Sequence, residues 1–259
     1  MTDRHPLVWQ EPLHLGWSNI DFHNRLRPGA LLEFMQEAAG RDAARHGFGY
    51  PQIAPLGLAW MLVRLKLEMA RWPAWKEAVA LETWSKGSES LYGLRDFRFV
   101  SGDGSILGGA SSAWLLVNVN TRRPVRPDSV HGKSLPRLPK LEAIPGRPGK
   151  LAAIADAPVV TTRKTAYGDI DYHQHVNNAR YVEMALDALP LDLLQRHDLA
   201  ALQVNFLAET LAGETLGIAM AQPEGKPMAM EIRNLDKLQT AAQLSLEWKP
   251  AAATTETPS

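Results

Sequence analysis

Fifteen residues of this chain are used twice. Residues 171–185 and residues 21–35 align without a gap at an offset of 171 − 21 = 150. Asp21/Asp171, His23/His173 and Glu33/Glu183 are identical, and Phe22/Tyr172, Asn24/Gln174 and Leu26/Val176 keep their chemical type. Each copy reads as a polar turn feeding an amphipathic helix. The copies differ in their reactive groups: His175 and Asn177 of the second stand where the first has Arg25 and Arg27. A chain that repeats such a unit must fold as two related halves, one carrying groups that the other lacks.

The residues after each turn set the rest of the pattern. Leu31, Phe34, Met35, Ala38 and Ala39 recur at helical spacing, and Tyr181, Met184, Ala185, Ala188 and Leu189 do so in the same phase. Pro28 suits a first helical turn, and Gly47 and Pro190 are stop signals. Lead strands are expected at residues 9–17 and 159–167. Extended runs follow the first helix at 58–69, 79–85, 91–101 and 106–118, with Gly102-Asp103-Gly104 as a hairpin turn. The second helix is followed by runs at 202–207, 215–221, 228–233 and 238–248. A second pairing, Leu67-Glu68-Met69 with Val204-Asn205-Phe206, lies at an offset of 137. The first half therefore has 150 − 137 = 13 more residues after its helix.

Each half is thus strand, long helix, then four strands. The expected class is α+β, a long helix wrapped by an antiparallel sheet, in two tandem copies that pack as a pseudo-dimer. The expected domains are residues 1–130 and 158–250. Between them, residues 131–157 read as a linker rich in Pro, Gly and basic residues, and 251–259 as a disordered tail. Pairing of two chains into a homodimer is left open.

Composition excludes several functions. With 28 Lys+Arg against 28 Asp+Glu the formal net charge is zero, which argues against a nucleic-acid binder. The chain has no cysteine, so disulfides, thiolate zinc sites and a cysteine nucleophile are ruled out. No apolar run approaches membrane-spanning length, and the first residues carry no apolar leader. The expectation is a cytoplasmic protein without membrane insertion.

Several of these segments together resemble a known family. The order strand, Asp-x-x-x-His-Val-Asn-Asn-x-x-Tyr, helix (Asp171 to Tyr181) is similar to the second half of acyl-acyl carrier protein thioesterases, which have a double hotdog fold. In the first half, Trp72-Pro73-Ala74-Trp75, Glu82-Thr83-Trp84 and Asn120-Thr121-Arg122-Arg123 resemble that family's corresponding segments. The resemblance runs from about residue 12 to residue 248. It implies hydrolysis of fatty acyl carrier-protein thioesters to free fatty acid, without cofactor or metal. It also implies an active site at Asp171, His175 and Glu209, with His173 in the family's Asn position and Thr210 in its Cys position. The first half would then be scaffold and acyl pocket. An acyl-CoA thioesterase, or a non-hydrolytic acyl-binding or dehydratase-like hotdog protein, are the alternatives.

The residues suit this chemistry. Thioester hydrolysis needs an activated water or carboxylate nucleophile and donors for the developing oxyanion. Glu209 is the candidate base or nucleophile, and His175 an imidazole able to hold or relay a proton. Asp171 is expected to fix the orientation of His173 or His175, and His173 to donate a hydrogen bond to water or thioester. The helix entry at Val176, Asn177 and Asn178 gathers free N–H groups, although Asn177 and Asn178 equally suit a helix cap. The basic run Arg122, Arg123, Arg126, Lys133, Arg137 and Lys140 is either a solvated linker or a surface for an acidic carrier protein.

Overall fold

Eleven strands and five helices make up the regular structure of the computed structural model, which describes residues 5–131 and 136–251. In chain order they are β1 (Trp9–Pro12), α1 (Pro28–Arg45), α2 (Tyr50–Ile53), β2 (Leu58–Met69), β3 (Val79–Glu89), β4 (Tyr92–Ser101), β5 (Ile106–Asn118), β6 (Arg123–Val125) and α3 (Pro127–His131). There follow β7 (Val159–Lys164), α4 (Asn178–Asp187), α5 (Leu191–Arg196), β8 (His197–Phe206), β9 (Thr215–Ala221), β10 (Met228–Asn234) and β11 (Gln239–Pro250). The chain forms two units. One holds the described residues up to Leu15 and Leu31–Gly149; the other holds Gly16–Ala30 and the described residues from Lys150 onward. The first turn, although it lies between β1 and β2 of the first sheet in sequence, therefore packs in the second unit. Lys133 and the tail from residue 252 lie outside the described residues.

In the first unit the antiparallel order is β1-β3-β4-β5-β2, with β6 on β5. Leu31, Met35, Ala38 and Ala39 of α1 are buried, as the apolar spacing predicts, whereas Phe34 is only half-buried and Leu32 is buried in addition. Leu32 and Met35 line an apolar hollow with Leu62 and Leu65 of β2, Phe97 of β4 and Trp114 of β5. A buried ion pair ties the same helix to the sheet. Arg95 of β4 donates to Asp42 at 2.7 Å and to the Thr83 hydroxyl at 3.1 Å, and Arg45 also reaches Asp42 at 2.8 Å.

The Pro-rich segment is more than a spacer. The Leu138 N–H donates to the Ser85 carbonyl, the Trp84 indole N–H to the Leu141 carbonyl, and the Ala143 N–H to the Asp96 carboxylate. Gly109 of β5 admits this strap, because a Cβ there would stand 2.9 Å from the Ala143 carbonyl oxygen. Proline-rich sequence carries no period from which such bonds can be read.

In the second unit the antiparallel order is β8-β11-β10-β9-β7. Val182, Met184 and Ala185 of α4 are buried, as are Leu202 and Val204 of β8, Ile218 of β9, Ile232 of β10 and Leu244 and Leu246 of β11. The segment entering this unit is held as well: Arg233 donates to the carbonyls of Ile154 and Ala157, and Glu231 accepts from the Ile154 N–H. Pro190 ends α4 but also stands at the N-cap of α5, a helix the periodicity does not announce. Strand β8 starts at His197, five residues before the apolar run that marks it in sequence. Each unit is a helix against an antiparallel sheet, the α+β hotdog-like arrangement.

The Asp42–Arg95 pair yields a test of this packing. Arg95→Met leaves buried Asp42 with only Arg45 and, at 3.6 Å, His46, both from its own end of the helix, and the expected loss is about 3 kcal/mol of unfolding free energy. The double variant Arg95→Met/Asp42→Leu should recover most of that in urea denaturation; no recovery would show that the pair is not the cause.

Candidate functional site

The two copies of the turn motif build the same backbone. Each opens with a 3-10 turn, Trp17–Asn19 in one and Tyr167–Asp169 in the other. Each then closes a bridge, Ile20 with Leu26 and Ile170 with Val176. The Asp21 N–H donates to the Arg25 carbonyl at 2.8 Å, and the Asp171 N–H to the His175 carbonyl at 2.9 Å. Asn24 and Gln174 both adopt the left-handed region, at φ 63° and 66°. Asp21 Oδ1 accepts from the His23 N–H at 2.8 Å, and Asp171 Oδ1 from the His173 N–H at 2.9 Å. The repeated aspartate is thus the residue that shapes the turn, its carboxylate standing in for a backbone acceptor. Asp171 Oδ1 therefore serves the turn backbone, while the His175 imidazole meets Glu209.

What differs is how the turns are used. In the first copy His23 Nε2 lies 2.9 Å from the Leu194 carbonyl, Arg25 forms an ion pair with the buried Asp198, and Arg27 Nε donates to the Ile20 carbonyl at 2.8 Å. These side chains are spent on holding the segment within the second unit. Trp72, which aligns with Glu209, is buried in the first unit.

In the second copy His175 meets a carboxylate instead. Its Nε2 lies 3.1 Å from Glu209 Oε2, and both side chains keep about a third of their surface in solvent (36% and 32%). The contact is set by backbone: the Val176 N–H donates to the Thr210 carbonyl at 2.9 Å, locking the segment after β8 onto the turn. The Leu207 and Ala208 N–H groups both donate to the Ala241 carbonyl, at 2.8 and 3.2 Å, so the chain around Glu209 is fixed from both sides. His173 is exposed, its ring edge-on to Tyr172 at 5.4 Å between centroids.

The helix entry divides the three expected backbone donors. Val176 spends its N–H on Thr210, and Asn177 donates its own to the Asp169 carbonyl at 2.9 Å. Asp169 is itself clamped by Arg163 through both carboxylate oxygens. The assignment of Val176 and Asn177 as oxyanion donors is therefore corrected: both N–H groups already serve the turn. Asn177 is the N-cap of α4, its Oδ1 accepting from the Ala179 N–H at 2.8 Å. Asn178 follows as the first helical residue, whose N–H cannot be satisfied within the helix.

Two residues of this neighbourhood escape the sequence patterns. Tyr181 counts as one more apolar position of α4, although its hydroxyl faces Thr210. Thr210 attracts notice only as the place where the resembling family often has Cys. Among the described residues no group of three or more His, Cys, Asp or Glu is placed to hold a metal ion.

The cap generates a test. Asn177→Ala should cost about 1 kcal/mol by chemical denaturation, whereas Asn178→Ala should leave stability nearly unchanged. Equal losses would mean that the cap is wrongly assigned.

Comparison with known proteins agrees with this architecture. The model of the acyl-ACP thioesterase N-terminal domain matches residues 6–130, and that of the acyl-ACP thioesterase C-terminal domain matches residues 155–250. A chloroplastic palmitoyl-acyl carrier protein thioesterase of Gossypium hirsutum is 29% identical over 191 residues, 69% of this chain and 46% of that protein. The chain spans about half the length of the curated relatives it matches. Among solved structures, an acyl-ACP thioesterase from Bacteroides thetaiotaomicron superposes with a TM-score of 0.86 at 26% identity, covering 93% of this chain and 98% of that one. The 12:0-ACP thioesterase from Umbellularia californica shares the fold, with a TM-score of 0.82 at 22% identity over 96% of this chain and 99% of that one. With its two halves matched in order, the chain belongs to the acyl-ACP thioesterase family.

Proposed function

We propose that this protein hydrolyses fatty acyl thioesters of acyl carrier protein, releasing the free fatty acid, and that the reaction takes place at Glu209 and His175. The observation that carries this reading is the 3.1 Å contact between His175 Nε2 and Glu209 Oε2, partly open to solvent and next to the start of α4. The family and the names of the relatives, palmitoyl- and oleoyl-acyl carrier protein thioesterases among them, support the substrate class.

The geometry suggests the steps. Glu209 takes a proton from water as the water oxygen attacks the thioester carbonyl carbon, and His175 holds the carboxylate in place and can receive the proton from it. Negative charge develops on the carbonyl oxygen, where the Asn178 N–H and the positive end of α4 stabilise it; one such donor is worth roughly 2.7–4 kcal/mol of barrier. Collapse of the tetrahedral intermediate breaks the C–S bond, and the returning proton neutralises the thiolate. Asp171 contributes by shaping the turn that presents His175. We assign His173 the role of a donor to the attacking water, in place of the amide that the resemblance implies.

We assign the acyl chain to the first half, as the resemblance implies, and the exposed Arg123 and Arg126 suit an acidic carrier. Among the described residues no helix is long and apolar enough to cross a membrane. Our reading of the compartment is the cytoplasm, while the plant relatives are chloroplastic by name.

Glu209→Gln keeps the size of the side chain and removes the base. Its kcat on an acyl carrier-protein thioester is expected to fall by about 100-fold or more, with an unchanged melting temperature. The unmodified enzyme should turn over the carrier thioester faster than the CoA thioester of the same acid. Turnover by Glu209→Gln at the unmodified rate would remove the proposed site, and a clear preference for CoA would remove the carrier assignment.

A further inference from the structure

Glu209 lies in a short segment that one side chain grips at both ends. The segment begins at Phe206, the last residue of β8, and ends at Thr210. Tyr181 of α4, almost fully buried, packs its ring on Phe206 at 6.0 Å between centroids, and its hydroxyl faces Thr210. Thr210 has no surface in solvent. The Tyr181 hydroxyl is turned to the hydroxyl and backbone of Thr210, and neither buried hydroxyl is spent on any other described group. Burial pushes the Tyr181 phenol up to about 12, so it keeps its proton, and its capacity to donate, across the working range of pH.

Buried polar groups are nearly always paired, and two left facing each other in a fold of this kind call for an explanation. Packing alone would be served by Phe and Val, which fill the same volumes without desolvating a hydroxyl. Thr210 also accepts the Val176 N–H through its carbonyl, so the same residue sits between Tyr181 and the turn that carries His175. On the reading that Glu209 is the catalytic base, we propose that Tyr181 and Thr210 act as a pair of positioning residues, fixing the 206–210 segment so that the Glu209 carboxylate meets His175. The pair touches neither water nor thioester. It sets the direction in which Glu209 points.

The test uses the full chain and an acyl carrier-protein thioester. Tyr181→Phe and Thr210→Val each remove one hydroxyl at constant shape. Each is expected to lower kcat by about 10-fold or more, since small misplacements of a reacting group are costly, while KM stays within about twofold. The double variant should be no worse than either single one, because the two hydroxyls act as a unit. Thr210→Ser, which keeps the hydroxyl, should restore most of the rate. Melting temperatures read on the same samples separate positioning from folding. Loss of stability with kcat per folded molecule unchanged, in a background where Glu209→Gln is inactive, would overturn the pair while leaving the site intact. Full activity of Glu209→Gln would overturn the site and the pair with it.

Discussion

The hydrogen bond from the Val176 N–H to the Thr210 carbonyl is the constraint on which the candidate site depends. It joins two segments 210 − 176 = 34 residues apart, the end of the motif turn and the segment that follows β8. One side of that bond carries His175 and the other carries Glu209, so fixing the backbone brings their side chains to 3.1 Å. A contact between two part-exposed polar side chains contributes little to stability by itself. Its geometry comes from the backbone, from the bridge between Ile170 and Val176 and from the two N–H groups that converge on the Ala241 carbonyl. This is the arrangement expected of reactive groups held by a rigid frame.

Duplication explains both the likeness of the two turns and the difference in their use. The same Asp carboxylate, the same left-handed fourth position and the same backbone bridge recur because the turn itself must be made before α1 and before α4. Once the backbone is fixed, the fifth position is free to vary. Arg25 there reaches the buried Asp198, a structural use, whereas His175 reaches the half-exposed Glu209. The first copy also packs in the second unit, so its side chains stabilise the unit that carries the proposed chemistry.

Much of the fold is legible in the sequence because its period is. The runs at 58–69, 106–118 and 215–221 coincide with β2, β5 and β9, and Pro28 stands as the first residue of α1. Elements set by partners elsewhere in the chain are the ones that escape. The Pro-rich segment has no period of its own; it is ordered by Trp84, Asp96 and Gly109 on strands it meets only in the fold. Helix α5 is too short to show a stripe, and Pro190 reads as a stop when it is also a start. At the site, Asp171 beside two histidines suggests a partner for imidazole, and the sequence does not show that its Oδ1 also accepts the His173 N–H of its own turn. Tyr181 is hidden for the opposite reason, since periodicity registers its ring and not its hydroxyl.

The central claim is that the repeated turn reacts in one copy and supports in the other. Turnover and melting temperature measured together on His175→Ala and Arg25→Met test it most directly. The account predicts that His175→Ala loses about 100-fold or more in kcat/KM on a carrier thioester with its melting temperature retained. It predicts the reverse for Arg25→Met, which leaves Asp198 buried without its cation: a lower melting temperature, with kcat/KM per folded molecule kept. Activity surviving in His175→Ala, or lost in a fully stable Arg25→Met, would contradict it.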